Sequence, residues 1–239
     1  MGCGGSKKDA VAEGGDAPSK ADAGKMTYFA GLRSRGEPTQ IIAAYKNGVK
    51  MEVELIDFEE WGKRKEAKVA PYMPYITQPD GKIFLDTVPI CKHLATLGGK
   101  FIVDEKTEKL CELGNSPPLQ LADPAYNLPD GGVSLGCPPY DEIKPLALAC
   151  IKDQVLPQLT GPFFAGAEPG FGEAFIWHNL DNWFALCKDD IAAEVGADGM
   201  AKLQTFYDKF AALDGIKEYL AGRSKVWGVP GSKANPKSD

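Results

Sequence analysis

Tyr75-Ile76-Thr77-Gln78-Pro79-Asp80-Gly81-Lys82-Ile83-Phe84-Leu85 is the stretch on which the fold turns. Its two ends are rich in β-branched and aromatic residues. Pro79-Asp80-Gly81 between them is turn chemistry: proline presets φ and glycine tolerates positive φ. A hairpin is predicted. Upstream, Met51, Val53 and Leu55 alternate with Glu52 and Glu54, the pattern of a half-buried strand. Before that, Glu37 to Asn47 reads as a helix with Ile41, Ile42 and Tyr45 on one face and Gly48 as its stop. Met26-Thr27-Tyr28-Phe29 is a short β run ended by Gly31. Downstream of the hairpin, Thr87 is placed to cap a helix with Pro89 in its first turn and Ile90, Leu94 and Leu97 buried.

The order β-α-β followed by β-β-α is that of a thioredoxin-like domain. Beyond Gly98-Gly99 no strand pattern persists. Helical character is predicted over 105–114, 142–159, 171–188, 199–213 and Ile216 to Leu220. Pro117-Pro118, Pro124, Pro129 and Pro138-Pro139 interrupt the stretch between the first two. Met200, Leu203, Phe206, Tyr207, Phe210 and Leu213 make one apolar helix face. The expected division is a disordered tail over 1–25, a thioredoxin-like domain over 26–99, an all-helical domain over 100–228 and a flexible end over 229–239.

Bulk properties narrow the function classes. The chain has 239 residues, 44% hydrophobic and 25% charged, as in an ordinary globular protein. Its net charge of −6, with no basic run longer than the short solvated one at Lys63, Arg64, Lys65 and Lys68, argues against a nucleic-acid surface. No stretch approaches the roughly 20 apolar residues that cross a bilayer. Six scattered cysteines show no Cys-x-x-Cys pair or metal-ligand spacing, so they read as reduced core thiols and no metal is expected. His93 and His178 lie in apolar-patterned helices and read as structural.

The first 25 residues are mostly Gly, Ala, Lys, Asp and Ser with no hydrophobic period, too polar to offset their ordering entropy. Met1-Gly2-Cys3-Gly4-Gly5-Ser6 matches the pattern for N-myristoylation of Gly2, with Cys3 placed for palmitoylation. A single myristoyl chain binds membranes only marginally, so Cys3 would decide lasting anchorage. A cytoplasmic protein, peripheral on the cytosolic face of a membrane, is the corresponding expectation.

Thr27-Tyr28-Phe29 with Arg33-Ser34-Arg35-Gly36-Glu37 resembles the opening of tyrosine-type, especially sigma-like, glutathione transferases. Trp61 and Lys65, then Met73-Pro74, then Asp86-Thr87 follow in the order that family uses. Leu213-Asp214-Gly215-Ile216-Lys217-Glu218-Tyr219-Leu220 resembles its last-helix signature. The resemblance runs from about Lys25 to Trp227 and is weak over 115–140. It implies glutathione as co-substrate, an apolar electrophile as second substrate, and a homodimer.

Tyr28 is then the implied catalytic residue. A free thiol has a pKa of about 8.5, and a hydroxyl bonded to sulfur favours the thiolate over the thiol. Lowering that pKa by two units takes roughly 2.7 kcal/mol, within reach of one such bond and a nearby cation. Arg33 is the candidate cation. The resemblance further implies a cis bond before Pro74, which turns the Met73 backbone towards the cysteinyl part of glutathione. Trp61, Lys65 and Tyr72 would contact its glycine end. Thr87, at a helix N-terminus, suits the γ-glutamyl carboxylate. Asp86 departs from the family's longer Gln or Glu and could pair with the ammonium group.

In the second half, Gly170-Phe171-Gly172-Glu173 stands where the family has a Ser/Thr-x-x-Asp capping box, with Glu173 able to reach back to the helix start. Phe163, Phe164 and Tyr126 are the aromatic candidates for an electrophile pocket. Two alternatives stand beside conjugation: a lipid isomerase using the same thiolate, and a non-catalytic transferase-like scaffold at a membrane. The interrupted 115–140 segment and Asp86 favour the scaffold; Tyr28 favours the enzyme.

Overall fold

The computed structural model describes residues 20–120, 140–225 and 232. Gly2, Cys3 and Tyr126 lie outside the described residues. The first part runs β1 (Ala21–Phe29), α1 (Gly36–Ala44), β2 (Val49–Ile56), α2 (Phe58–Glu66), β3 (Tyr75–Thr77), β4 (Ile83–Leu85) and α3 (Thr87–Gly98). The sheet order is β2-β1-β3-β4, with β1 and β2 parallel and the hairpin antiparallel. α1 and α3 pack together against it. A helical part follows: α4 (Glu105–Gly114), α5 (Tyr140–Cys150), α6 (Glu173–Ala211) and α7 (Ile216–Gly222).

Several expectations are corrected. β1 starts at Ala21, five residues before the expected onset of order at Met26. The extension is possible because Gly24 sits at φ 84°, where the register with β2 shifts; a Cβ there would lie 2.1 Å from the Thr77 carbonyl oxygen. In β2 the alternation does not bury Val53 and Leu55, which are 37% and 54% exposed. β2 is the sheet's edge, and both side chains keep access to solvent. α1 ends at Ala44, with the predicted remainder to Asn47 tightening into a 3-10 turn.

The helical part follows the sequence closely. The helix predicted over 142–159 is one rod that changes winding, from α5 through a π turn at Ile151–Val155 to a 3-10 turn at Leu156–Gln158. α6 is broken at Cys187 (φ −155°, ψ 45°) and at Gly196 (φ 74°, ψ 172°). Gly196 lies between the helices predicted over 171–188 and 199–213; Cys187 breaks the first just before its expected end, and the helical turns between the two breaks were not predicted. Glu173 reaches back as expected: its Oε1 accepts from the Gly170 amide (3.1 Å) and also from that of Ala165 (2.8 Å).

An ionic cluster joins the two parts. The carboxylate of Glu37, at the start of α1, is fully buried. It accepts from His178 Nδ1 (2.6 Å) and Arg223 Nη1 (2.5 Å), with Arg33 Nη1 at 3.8 Å. Asp181 accepts from Arg223 Nη2 (2.7 Å), Arg33 Nη1 (3.3 Å) and the Tyr207 hydroxyl (2.6 Å). Arg223 also lies over the Trp177 ring at 5.3 Å. Thus α1 is tied to α6 and to the end of α7. Burial alone would raise the Glu37 pKa, but the bond and charge of His178 and the charges of Arg223 and Arg33 overcome it and hold the carboxyl down at about 2.

Glu173 is the opposite case. Burial outweighs its backbone donors and pushes its carboxyl up to about 7, and its Oε2 makes no hydrogen bond among the described residues. Glu37 therefore stabilises the fold fully above its ordinary pKa of 4.5, and that stability is lost as pH falls through about 2. Glu173 stabilises below 4.5, and its contribution is lost as pH rises through about 7. A shift of this size corresponds to about 3 kcal/mol for Glu173. Thermal unfolding followed against pH is expected to peak near about pH 5. Glu173→Gln should flatten the decline above the peak, whereas Glu37→Gln should cost about 3–5 kcal/mol at neutral pH by leaving two arginines short of a counterion.

Candidate functional site

The sheet's register assembles the candidate site. Tyr75 pairs antiparallel with Thr27 on one side and with Leu85 on the other. The next residues beyond those pairs are Tyr28, Pro74 and Asp86. They stand at one end of three adjacent strands, which are spaced about 4.8 Å apart. This is also the carboxyl end of the parallel pair β1 and β2, where open α/β sheets leave a crevice.

Tyr28 is 2% exposed and packs into the core shared by α1 and β1. Gly36 permits this: a Cβ at that position would lie 2.4 Å from the Tyr28 ring. The Met73–Pro74 bond is cis, as the resemblance implied. Asp86 is exposed and held at φ 77°, ψ 130°, backbone that costs a non-glycine residue about 1–3 kcal/mol. The expected cap is displaced by one position: Asp86, not Thr87, is the N-cap of α3, and its side chain makes no capping bond. Thr87 is the first helical residue and is buried. Its place at the positive end of a 12-residue helix suits an anion.

Trp61 and Lys65 lie on α2. The Phe29 ring contacts both Phe58 (4.5 Å) and Trp61 (6.3 Å, edge-on), and Lys65 Nζ sits 6.0 Å from the Trp61 ring. This aromatic group places Trp61 beside the residue that follows Tyr28. Tyr72 is 46% exposed, one residue before Met73. Arg33, expected as a cation beside a thiolate, is held by Asp181 with Glu37 close by, so its charge is largely offset where it stands.

A cleft of about 410 Å³ opens between the end of β1, the start of α1 and α7. Phe29, Leu32, Leu55, Arg33, Tyr219 and Arg223 are among its lining. The aromatic pair expected to line such a pocket is elsewhere: Phe163 and Phe164 are buried in the helical core, the latter against Phe206 at 4.9 Å. Their flanking Gly and Pro residues resemble a loop rim, but their apolar surface is spent on packing. Among the described residues no group of three or more His, Cys, Asp or Glu side chains could hold a metal ion.

Two groups of residues escaped the sequence reading. The roles of Glu37, Asp181 and Arg223 depend on helices far apart in the chain, although Glu37 lay within a quoted motif. Glu54 and Arg64 looked like an alternating surface acid and one member of a solvated basic run. The i,i+4 spacing of Glu60 and Arg64 was the one local signal.

No family model matches the chain. Glutathione S-transferase 4 of Caenorhabditis elegans is 28% identical over 209 residues, covering 83% of this chain and 96% of that protein. Among solved structures, NaGST-2 superposes with a TM-score of 0.63 at 21% identity, covering 84% of this chain and 96% of the other. A prostaglandin synthase D of Nilaparvata lugens superposes with a TM-score of 0.61 at 17% identity, covering 84% and 98%. The chain thus has the fold of the glutathione S-transferases and resembles two of them in sequence at under 30% identity.

Proposed function

We propose that the chain is a glutathione transferase that activates glutathione as a thiolate for attack on an apolar electrophile. The observation that carries this reading is the alignment of Tyr28, cis-Pro74 and Asp86-Thr87 at one end of the sheet. In this reading the γ-glutamyl carboxylate sits at the N-terminus of α3 by Thr87, with Asp86 beside the ammonium group. The Met73 backbone pairs with the cysteinyl unit, and Trp61, Lys65 and Tyr72 meet the glycine end. Tyr28 donates its hydroxyl proton in a hydrogen bond to sulfur. A charge-assisted bond in a site shielded from water is stronger than its counterpart to a neutral thiol.

The chemistry then balances simply. The thiol proton passes to solvent, and a sulfur lone pair forms the new carbon–sulfur bond. With an aryl halide, the halide departs with the former bonding pair. The cleft lined by Phe29, Leu32 and Leu55 adjoins Tyr28 through Phe29 and suits the apolar electrophile. Arg33 forms part of that wall; because Asp181 and Glu37 engage it, the reading leans on Tyr28 for thiolate stabilisation.

The test is initial-rate conjugation of glutathione to a generic aryl halide by the chain and by Tyr28→Phe. Turnover that falls at least about tenfold in the variant, about 1.4 kcal/mol of lost stabilisation, supports the reading. Folded protein with no turnover contradicts it and favours the scaffold alternative.

We also infer that Gly2 is myristoylated and Cys3 palmitoylated, from the Met-Gly-x-x-x-Ser pattern and the adjacent thiol. Labelling with a myristate analogue in cells is expected to mark the chain and to be abolished by Gly2→Ala. Cys3→Ser should keep the label and lose stable membrane retention. An unlabelled parent chain contradicts the inference.

A further inference from the structure

α2 carries two of the residues assigned to the glycine end of glutathione, yet none of its nine residues is buried. A helix this short is marginal alone, and most helical stability in proteins comes from a packed apolar face. α2 has a cap, with Asp57 accepting from the Glu60 amide (2.7 Å), but Phe58 remains 51% exposed. Among the described residues, the Phe29 ring contacts and one guanidinium join α2 to the sheet.

Arg64 forks onto Glu54 of β2, Nη1 to Oε2 at 2.7 Å and Nη2 to Oε1 at 3.2 Å. Nη1 also donates to the Tyr75 hydroxyl of β3 (3.0 Å), and Nε donates to Glu60 (2.8 Å). Glu54 accepts further from the Thr27 hydroxyl (2.9 Å) and from Lys25 (3.3 Å). Thr27 is the residue of β1 that pairs with both Glu54 and Tyr75. Three neighbouring strands therefore converge on Arg64, directly beneath the row that ends in Tyr28 and Pro74. The Arg64 bonds, with help from Thr27 and Lys25, hold the Glu54 carboxyl down at about 2, so the clamp stays ionised through the range in which a thiol titrates.

Isolated exposed ion pairs contribute little, but this one is a bidentate fork within a network. Helix geometry gives it leverage: at about 100° per residue, Trp61 and Lys65 are an i,i+4 pair that share one face of α2, both turned to the same side of Arg64. Rotation or lift of α2 by loss of the clamp would carry both away from the sheet's end.

We propose that Arg64 is a positioning residue for glutathione: by fastening α2 to β2 and β3, it places Trp61 and Lys65 at the glycine end without touching the thiol. The proposal rests on the glutathione-binding reading above. It predicts a split between binding and chemistry, because the clamp is remote from sulfur. Only a fork can span Glu54 and Tyr75, so lysine should not restore the function.

The test measures glutathione affinity by calorimetry and steady-state kinetics in the full chain, for Arg64→Leu, Arg64→Lys, Tyr75→Phe and the exposed control Lys63→Ala. Arg64→Leu and Arg64→Lys are expected to raise the glutathione Kd and KM about tenfold or more. kcat at saturating glutathione and KM for the electrophile should stay within about twofold. Tyr75→Phe should give a smaller rise and Lys63→Ala none. Amide hydrogen exchange over 58–66 should quicken in Arg64→Leu while that of α1 and α3 is unchanged. Glutathione affinity indifferent to Arg64→Leu, or a fall in kcat at unchanged KM, would overturn the clamp alone. Absence of glutathione binding by the unaltered chain would overturn the glutathione reading and the proposal with it.

Discussion

The double pairing of Tyr75, to Thr27 on one side and Leu85 on the other, is the constraint from which the candidate site follows. Strand side chains alternate faces with a period of two, so a slip of one residue would turn Tyr28 and Ile76 out of the core. Both are essentially inaccessible to solvent, and that burial fixes the register. With the register fixed, Tyr28, cis-Pro74 and the strained Asp86 end in one row. The Tyr75 hydroxyl then accepts from Arg64 and ties the overlying α2 to the same row. One residue thus sets the order of the strands' ends and the placement of the helix above them.

The second organising element is the buried cluster around Glu37 and Asp181. Replacing such a cluster by apolar residues is often neutral for stability, whereas removing one member is costly. Its geometric effect is more specific. Glu37 belongs to the first turn of α1, immediately after Gly36, whose missing side chain admits the Tyr28 ring. Arg223 lies just beyond α7 and lines the cleft, as does Arg33. The contacts that hold the two parts together are therefore also the contacts that shape the cleft beside Tyr28. A charge arrangement suits that task better than interchangeable apolar packing, because carboxylate and guanidinium fix orientation as well as distance.

Much of the fold was legible in the sequence because its signals are local. Pro79-Asp80-Gly81 encodes the turn, and the apolar stripe from Met200 to Leu213 encodes the last part of α6. The cis Met73–Pro74 bond followed from family resemblance and not from any local signal. What escaped depends on partners distant in the chain. Val53 and Leu55 alternate as a buried strand face would, and only the position of β2 at the sheet's edge leaves them exposed. Arg64 sits among Lys63, Lys65 and Lys68 and reads as a solvated charge until Glu54 and Tyr75 are brought beneath it. Phe163 and Phe164 have the composition of a pocket wall, but composition does not say whether an aromatic ring faces a ligand or Phe206.

The claim that the end of this sheet binds glutathione as a thiolate is tested most directly by titrating the sulfur itself. Ultraviolet difference absorbance of the thiolate, recorded against pH with glutathione saturating the chain, reports the pKa of the bound thiol. The account predicts a midpoint about two units below the free-thiol value of about 8.5. A bound thiol that titrates like free glutathione would contradict it.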